Sequence, residues 1–130
     1  MTGFATKMLA SQADVLAPDG SQVRLLVRIA GGSMAHFQLA PGQIARPVIH
    51  RTVEELWFVT AGTGEIWRLQ NGRSEIVALS AGLSLTIPAG TAFQFRAASS
   101  EALEIIGVTM PPWPGPDEAV TAQGPWTPTA

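Results

Sequence analysis

The chain has 130 residues, 46% of them hydrophobic and 14% charged, a formal net charge of -2 and no cysteine. That length predicts one domain with one closed core, and the missing Cys excludes disulfides and thiol chemistry. No basic patch points to nucleic acid, and no apolar run approaches the roughly 20 residues that a membrane span needs.

The opening stretch, Met1 to Lys7, carries neither the basic segment nor the long apolar run of a secretory leader, so a cytoplasmic location is expected. Gly and Pro punctuate a series of short apolar runs, the pattern of an all-β chain. Pro18-Asp19-Gly20 marks the first turn, because Pro presets one dihedral and Gly accepts positive φ. Strands are predicted at Val23 to Ile29, Met34 to Leu39, Ile44 to His50, Glu55 to Thr60 and Glu65 to Gln70. Arg24 and Arg28 interrupt the first of these, and Gly31-Gly32 ends it. Asn71-Gly72 is the strongest hairpin signal, since both residues tolerate positive φ. Further strands are predicted at Glu75 to Leu79, Leu83 to Ile87, Ala92 to Arg96 and Ala102 to Met110. Short strands spaced by turns indicate a sandwich or barrel.

From Pro111 the composition changes. A run with Pro at 111, 112, 114 and 116 cannot continue a central strand, because Pro donates no ladder hydrogen bond. Asp117 to Ala122 has room for one helical turn. The division expected is a barrel over 1–110 and a Pro/Trp-rich tail over 111–130. Trp113 and Trp126 should pack on a surface, either their own barrel or a neighbouring subunit.

Two stretches carry a family resemblance. In the first, Gly42, Val48, His50, Glu55 and Gly62 fall at the spacings of a Gly, His, His, Glu, Gly signature. In the second, Gly82, Pro88, Gly90, Phe93 and Ala97 fall at the spacings of a Gly, Pro, Gly, His, Asn signature. Correctly spaced and in this order, they resemble the paired signatures of the cupin superfamily, of the RmlC-like jelly-roll type. The resemblance implies a double-stranded β-helix. The segments from His50 to Trp57, Phe93 to Arg96 and Thr109 to Gly115 look like a subgroup of small bacterial cupins to which no reaction is attached.

The resemblance also implies where a metal would lie, on three His and one Glu. Here His50 and Glu55 remain, while Val48 and Phe93 stand at the other two His positions. Neither Val nor Phe ligates a metal, and first-row metals normally need three or four protein donors. The expectation is therefore no tightly held cofactor. A divalent transition metal on His50 and Glu55, completed by His36 or water, is the alternative.

Strand alternation places Val48 with His50 on one side, Glu55 with Trp57 and Val59, and Phe93 with Phe95. In cupins that side is the barrel interior. His50 and Glu55 are the catalytic candidates, as a proton-transfer couple. Burial would push Glu55 up, and pairing with His50 would push it down. The competing reading is an inert, hydrogen-bonded remnant. Arg46, Val48, Trp57, Phe93, Phe95, His36 and Gln38 are the ligand-binding candidates. Arg46 would meet an anionic group at the barrel mouth. Trp57 and Trp67 could stack on a ring, although core filling is the commoner fate of such residues. The function expected is a mostly apolar small-molecule pocket in a homodimer. The alternatives are an isomerase, lyase or cyclase using His50 and Glu55, a metal-dependent oxygenase with a reduced ligand set, and a structural or interaction module.

Overall fold

The computed structural model describes residues 3–130. Eleven strands follow one another: β1 (Val15–Leu16), β2 (Gln22–Ile29), β3 (Gly32–Leu39), β4 (Val48–His50), β5 (Glu54–Ala61), β6 (Thr63–Gln70), β7 (Arg73–Ser80), β8 (Ser84–Ile87), β9 (Ala92–Ala97), β10 (Leu103–Met110) and β11 (Ala119–Thr121). They form two sheets, one ordered β1-β2-β3-β10-β5-β8 and one ordered β11-β4-β9-β6-β7, with antiparallel pairing throughout. This is the two-sheet jelly roll, and the core lies between the sheets. Leu39, Val59, Ile66, Leu79, Phe95, Leu103 and Ile105 are buried there.

Local chemistry accounts for the turns. β6 and β7 pair from Thr63 opposite Ser80 to Gln70 opposite Arg73. The two residues left over, Asn71 and Gly72, take φ of 51° and 75°, as the tight hairpin requires. At the β5–β6 corner, Gly62 has φ of 80°, and a methyl group there would overlap the Ala102 carbonyl. Only Gly fits.

Two sequence expectations change in the structure. Ile44 to His50 does not form one strand. Only Val48–His50 is regular, with an isolated bridge from Ile44 to Arg96. Pro47 lacks a donor, and the Arg46 N–H turns away to the Asp19 carbonyl at 2.7 Å. In the tail, the helical turn is a short 3-10 turn at Pro116–Glu118, and the chain then becomes β11. The exposed edge of β4 supplies ladder partners that a second helical turn would lack: Ala119 pairs with His50, and Thr121 with Val48.

The tail lies on its own barrel. Beyond β11 it crosses the outer face of the five-stranded sheet. There the Gln94 amide donates to the Trp126 carbonyl at 2.8 Å and accepts from the Trp126 N–H at 3.1 Å. The Arg96 guanidinium stacks 4.0 Å from the Trp126 ring. The last two residues donate their N–H groups to the Ile44 carbonyl. Glu118 clasps the start of β5, accepting from the Val53 N–H at 2.7 Å and from the Thr52 N–H and hydroxyl.

Candidate functional site

β5 alternates exposed and buried positions from Glu54 to Thr60, which turns Glu55, Trp57 and Val59 into the barrel. Val48 and His50 turn inward from β4, and Phe93 of β9 is the register partner of Val48. Together Glu55, Trp57, Val48, His50 and Phe93 wall a cavity of about 610 Å³, with Trp113 of the tail on one side. That volume is in the range of small-molecule sites. Thr109 of β10 is the partner of Glu55, and its hydroxyl shares a 2.7 Å hydrogen bond with Ser33 of β3. Ser33 also accepts the Trp113 N–H at 2.9 Å, which pins the tail at the cavity wall.

His50 is gripped by two aromatic rings. Phe93 lies edge-on with centroids 5.1 Å apart, and Trp113 with centroids 5.0 Å apart. Trp57 packs edge-on against both Phe93 and Phe95. In this dry setting the charged forms are disfavoured. Burial pushes the Glu55 carboxyl up to about 8, the negative charge of Asp19 adds to this, and the Trp57 indole works weakly the other way. Burial pushes His50 down to about 4, against the pull of the Glu118 carboxylate. Near neutral pH the couple is therefore a carboxylic acid beside a neutral imidazole. Desolvation outweighs the mutual attraction that would have made it an ion pair. His50 Nδ1 stands 3.5 Å from Glu55 Oε1 without a hydrogen bond, and the Trp57 indole N–H, near enough to Glu55 to favour its carboxylate, is not aligned for a hydrogen bond either.

Glu118 shows the opposite balance. Burial raises its carboxyl, but the Thr52 and Val53 N–H groups, the Thr52 hydroxyl and His50 together hold it below the usual carboxylate range. Asp19, also at the cavity, is raised by burial against its hydrogen bonds from Ser21 and the nearby Arg46 charge.

The ligand candidates read from the sequence separate into two groups. Val48, Trp57 and Phe93 line the cavity, whereas Phe95 is packed behind Trp57. Arg46, His36 and Gln38 do not line it. Arg46 is exposed, and its Nε donates to the Ala130 carbonyl. His36 lies on the outer face of the six-stranded sheet, where Nε2 meets Glu104 at 2.8 Å. Gln38, on the same face, accepts from Arg24 at 2.9 Å. Alternation decides this: Ser33, Ala35 and Phe37 take the inward places on β3, which leaves even-numbered His36 and Gln38 outside. Trp67 pairs with outward-facing Gln94, so it too points away from the cavity. Sequence reasoning missed Ser33, Thr109 and Arg28 as cavity residues. Arg28 was visible as an interruption of an apolar strand, but its inward direction depends on a bulge that no local signal announces.

The family model for the cupin domain matches residues 35–109, more than half of the chain. The chain belongs to the cupin family. No curated protein matches its sequence. Among solved structures, this cupin is similar to protein BH2720 of Bacillus halodurans, with a TM-score of 0.64 at 19% identity over 70% of each chain. It is similar to a variant of oxalate decarboxylase from B. subtilis, with a TM-score of 0.72 at 19% identity over 93% of this chain and 34% of that one. It is also similar to the CENP-C cupin domain of Drosophila melanogaster, with a TM-score of 0.63 at 15% identity over 70% of both chains. At these identities the likeness is one of fold. No helix is long and apolar enough to cross a membrane among the described residues.

Whether a cupin metal would fit depends on the donors. Val48 and Phe93 present carbon where a ligand set would need nitrogen, and His36 is held on the far side of the sheet by Glu104. Among the described residues no three His, Cys, Asp or Glu side chains stand together as a metal group. His50 and Glu55 alone do not make a donor set for a first-row metal.

Proposed function

We propose that this cupin is a small-molecule binding barrel whose cavity works without a tightly held metal. One observation carries the reading. The cavity is mostly apolar, yet His50, Glu55 and Trp57 meet at its wall, and His50 Nδ1 and the Trp57 indole N–H are buried there without a hydrogen bond. Leaving such groups unsatisfied costs about 1–3 kcal/mol each, and a ligand oxygen admitted by a small shift of these side chains would recover that. The test is a titration of untagged protein with 2-decanone, a neutral ketone, followed by the NMR signal of the Trp57 indole N–H and by calorimetry. Binding should move that signal. A signal unmoved at saturating probe sinks the reading.

The acid–base separation at the site favours a second reading, proton transfer. Environments that drive two neighbouring groups apart in pKa commonly assign acid and base roles. On a bound ketone, the Glu55 carboxyl would give its proton to the carbonyl oxygen while neutral His50 takes a proton from the α-carbon. The products are an enol, a Glu55 carboxylate and a protonated His50. Deuterium exchange at the α-carbon of 2-decanone should then exceed the buffer rate and vanish in Glu55→Gln. Exchange at the buffer rate rejects this reading and leaves a binding protein.

A homodimer is part of the same proposal. Leu56 and Phe58 stand about half exposed on the outer face of the six-stranded sheet, opposite Val108 and Ile106. A second copy would cover them. Sedimentation of a monomer would reject it.

A further inference from the structure

The inner face of the six-stranded sheet carries a polar row across an otherwise apolar wall. Glu55 is the partner of Thr109, Thr109 of Ser33, and Ser33 of Arg28. The row therefore crosses β5, β10, β3 and β2. Three interstrand spacings separate its ends, roughly 14 Å. It runs from the buried Glu55 to the exposed Arg28 at the mouth.

Arg28 owes its place to a bulge. Val23 and Leu25 face Phe37 and Ala35, so odd-numbered residues point inward at the start of β2. In an unbroken register Arg28 would pair with Gly32 and share the outer face with Arg24. The register instead shifts between Leu25 and Arg28, so that Arg28 pairs with inward-facing Ser33. Lys7 reaches the same mouth from the N-terminal segment. That segment is tied down by Arg24, which donates to the Ala10 and Ser11 carbonyls. Neither Arg28 nor Lys7 has a carboxylate partner among the described residues. Between the two ends the walls are Leu16, Leu25, Phe37 and Trp113.

On the basis of the pocket reading above, we propose that the cavity selects a medium-chain carboxylic acid with a distal carbonyl or hydroxyl group. Its carboxylate lies between Arg28 and Lys7, and its distal oxygen lies at Glu55, His50 and Trp57. The reverse orientation is unfavourable, because a carboxylate driven to the floor would meet the buried carboxyl of Glu55 and lose its water. A planar carboxylate also matches the fork of an Arg guanidinium, which a ketone or ester matches poorly.

The test compares 9-oxodecanoate, its methyl ester and decanoate by calorimetry at low salt, on untagged wild type, Arg28→Gln and the Lys7→Gln/Arg28→Gln double variant. In wild type the oxo acid should bind about ten-fold more tightly than its ester and than decanoate. The acid–ester gap should narrow in Arg28→Gln, close in the double variant, and shrink as salt is added. The affinity of the ester should stay constant across all three proteins, which shows that the cavity is intact. Equal affinity for acid and ester in wild type overturns the proposal, as does a gap that survives the double variant. Binding of 2-decanone with no preference for the oxo acid leaves the pocket reading standing and removes this one. If neither 2-decanone nor any of these probes binds, both readings fall.

Discussion

Glu55 Oε1 stands 3.5 Å from His50 Nδ1, and the two buried groups share no hydrogen bond. Each is held in its neutral form, and each leaves its own mark on stability against pH. Glu55 moves from 4.5 to about 8, so its contribution is complete below pH 4.5 and is lost as pH rises through 8. His50 moves from 6.5 to about 4, so its contribution is complete above pH 6.5 and is lost as pH falls through 4. The two slopes oppose each other between 4.5 and 6.5. Above 6.5 the Glu55 slope acts alone. Urea unfolding should show a decline of about 2 kcal/mol between pH 6.5 and 8. Glu55→Gln should abolish that decline. A decline of the same size in the variant would mean that another group causes it.

Val48 and Phe93 face each other across β4 and β9, and the Phe93 ring already touches His50. Replacing both with His should complete a set of three imidazoles and a carboxylate. Elemental mass spectrometry of tag-free protein should find close to one Zn or Mn per chain in the Val48→His/Phe93→His variant and only traces in wild type. Near-stoichiometric metal in wild type would overturn the metal-free reading.

Gly107 lies between Ala35 and Trp57 in the middle of the six-stranded sheet. A methyl group there would overlap the Phe37 ring and sit 3.0 Å from Glu55 Oε2. Gly107→Ala should lower stability by about 1–3 kcal/mol through overpacking. It should also weaken 2-decanone binding, because the displaced Phe37 ring lines the cavity. Calorimetry and denaturant unfolding check both. Wild-type stability in the variant would show that Phe37 is not confined.

Gln94 is wholly buried between its sheet and the tail, and its amide also donates to the Ala45 carbonyl at 2.9 Å. Gln94→Leu removes three hydrogen bonds and leaves the Ala45 and Trp126 carbonyls without these donors. A loss of about 2–4 kcal/mol is expected, with faster hydrogen exchange over residues 123–130 than elsewhere. Uniform exchange across the chain would indicate general destabilisation in place of tail release.

The fold was legible because its markers are local. Asn71-Gly72 and the signature glycines specify corners, and alternation in β5 specifies which of its side chains are buried. The floor of the cavity was legible for the same reason, since His50, Glu55, Val48 and Phe93 lie on short regular stretches. The mouth was not. Arg46 looked inward by parity, but Pro47 breaks the ladder and Asp19 draws the backbone away. Arg28 reads only as a break in an apolar run, and a bulge turns it inward. His36 was left open, and only the inward placing of Ser33, Ala35 and Phe37 decides it. The landing place of the tail was also hidden, since nothing beside Gln94 in the sequence marks it as an anchor. It becomes an anchor only once residues thirty positions downstream arrive.

Trp113 forms part of the cavity wall, yet it belongs to a segment that docks on strands made earlier. Order in time follows from this. A ribosome releases every strand of both main sheets up to β10 before it releases Trp113, and β11 needs β4 in place as its template. The barrel can close first, with its interior still open beside His50. The segment after β10 then finishes the wall beside His50. A chain ending at Met110 would therefore lack the wall that Trp113 supplies beside His50.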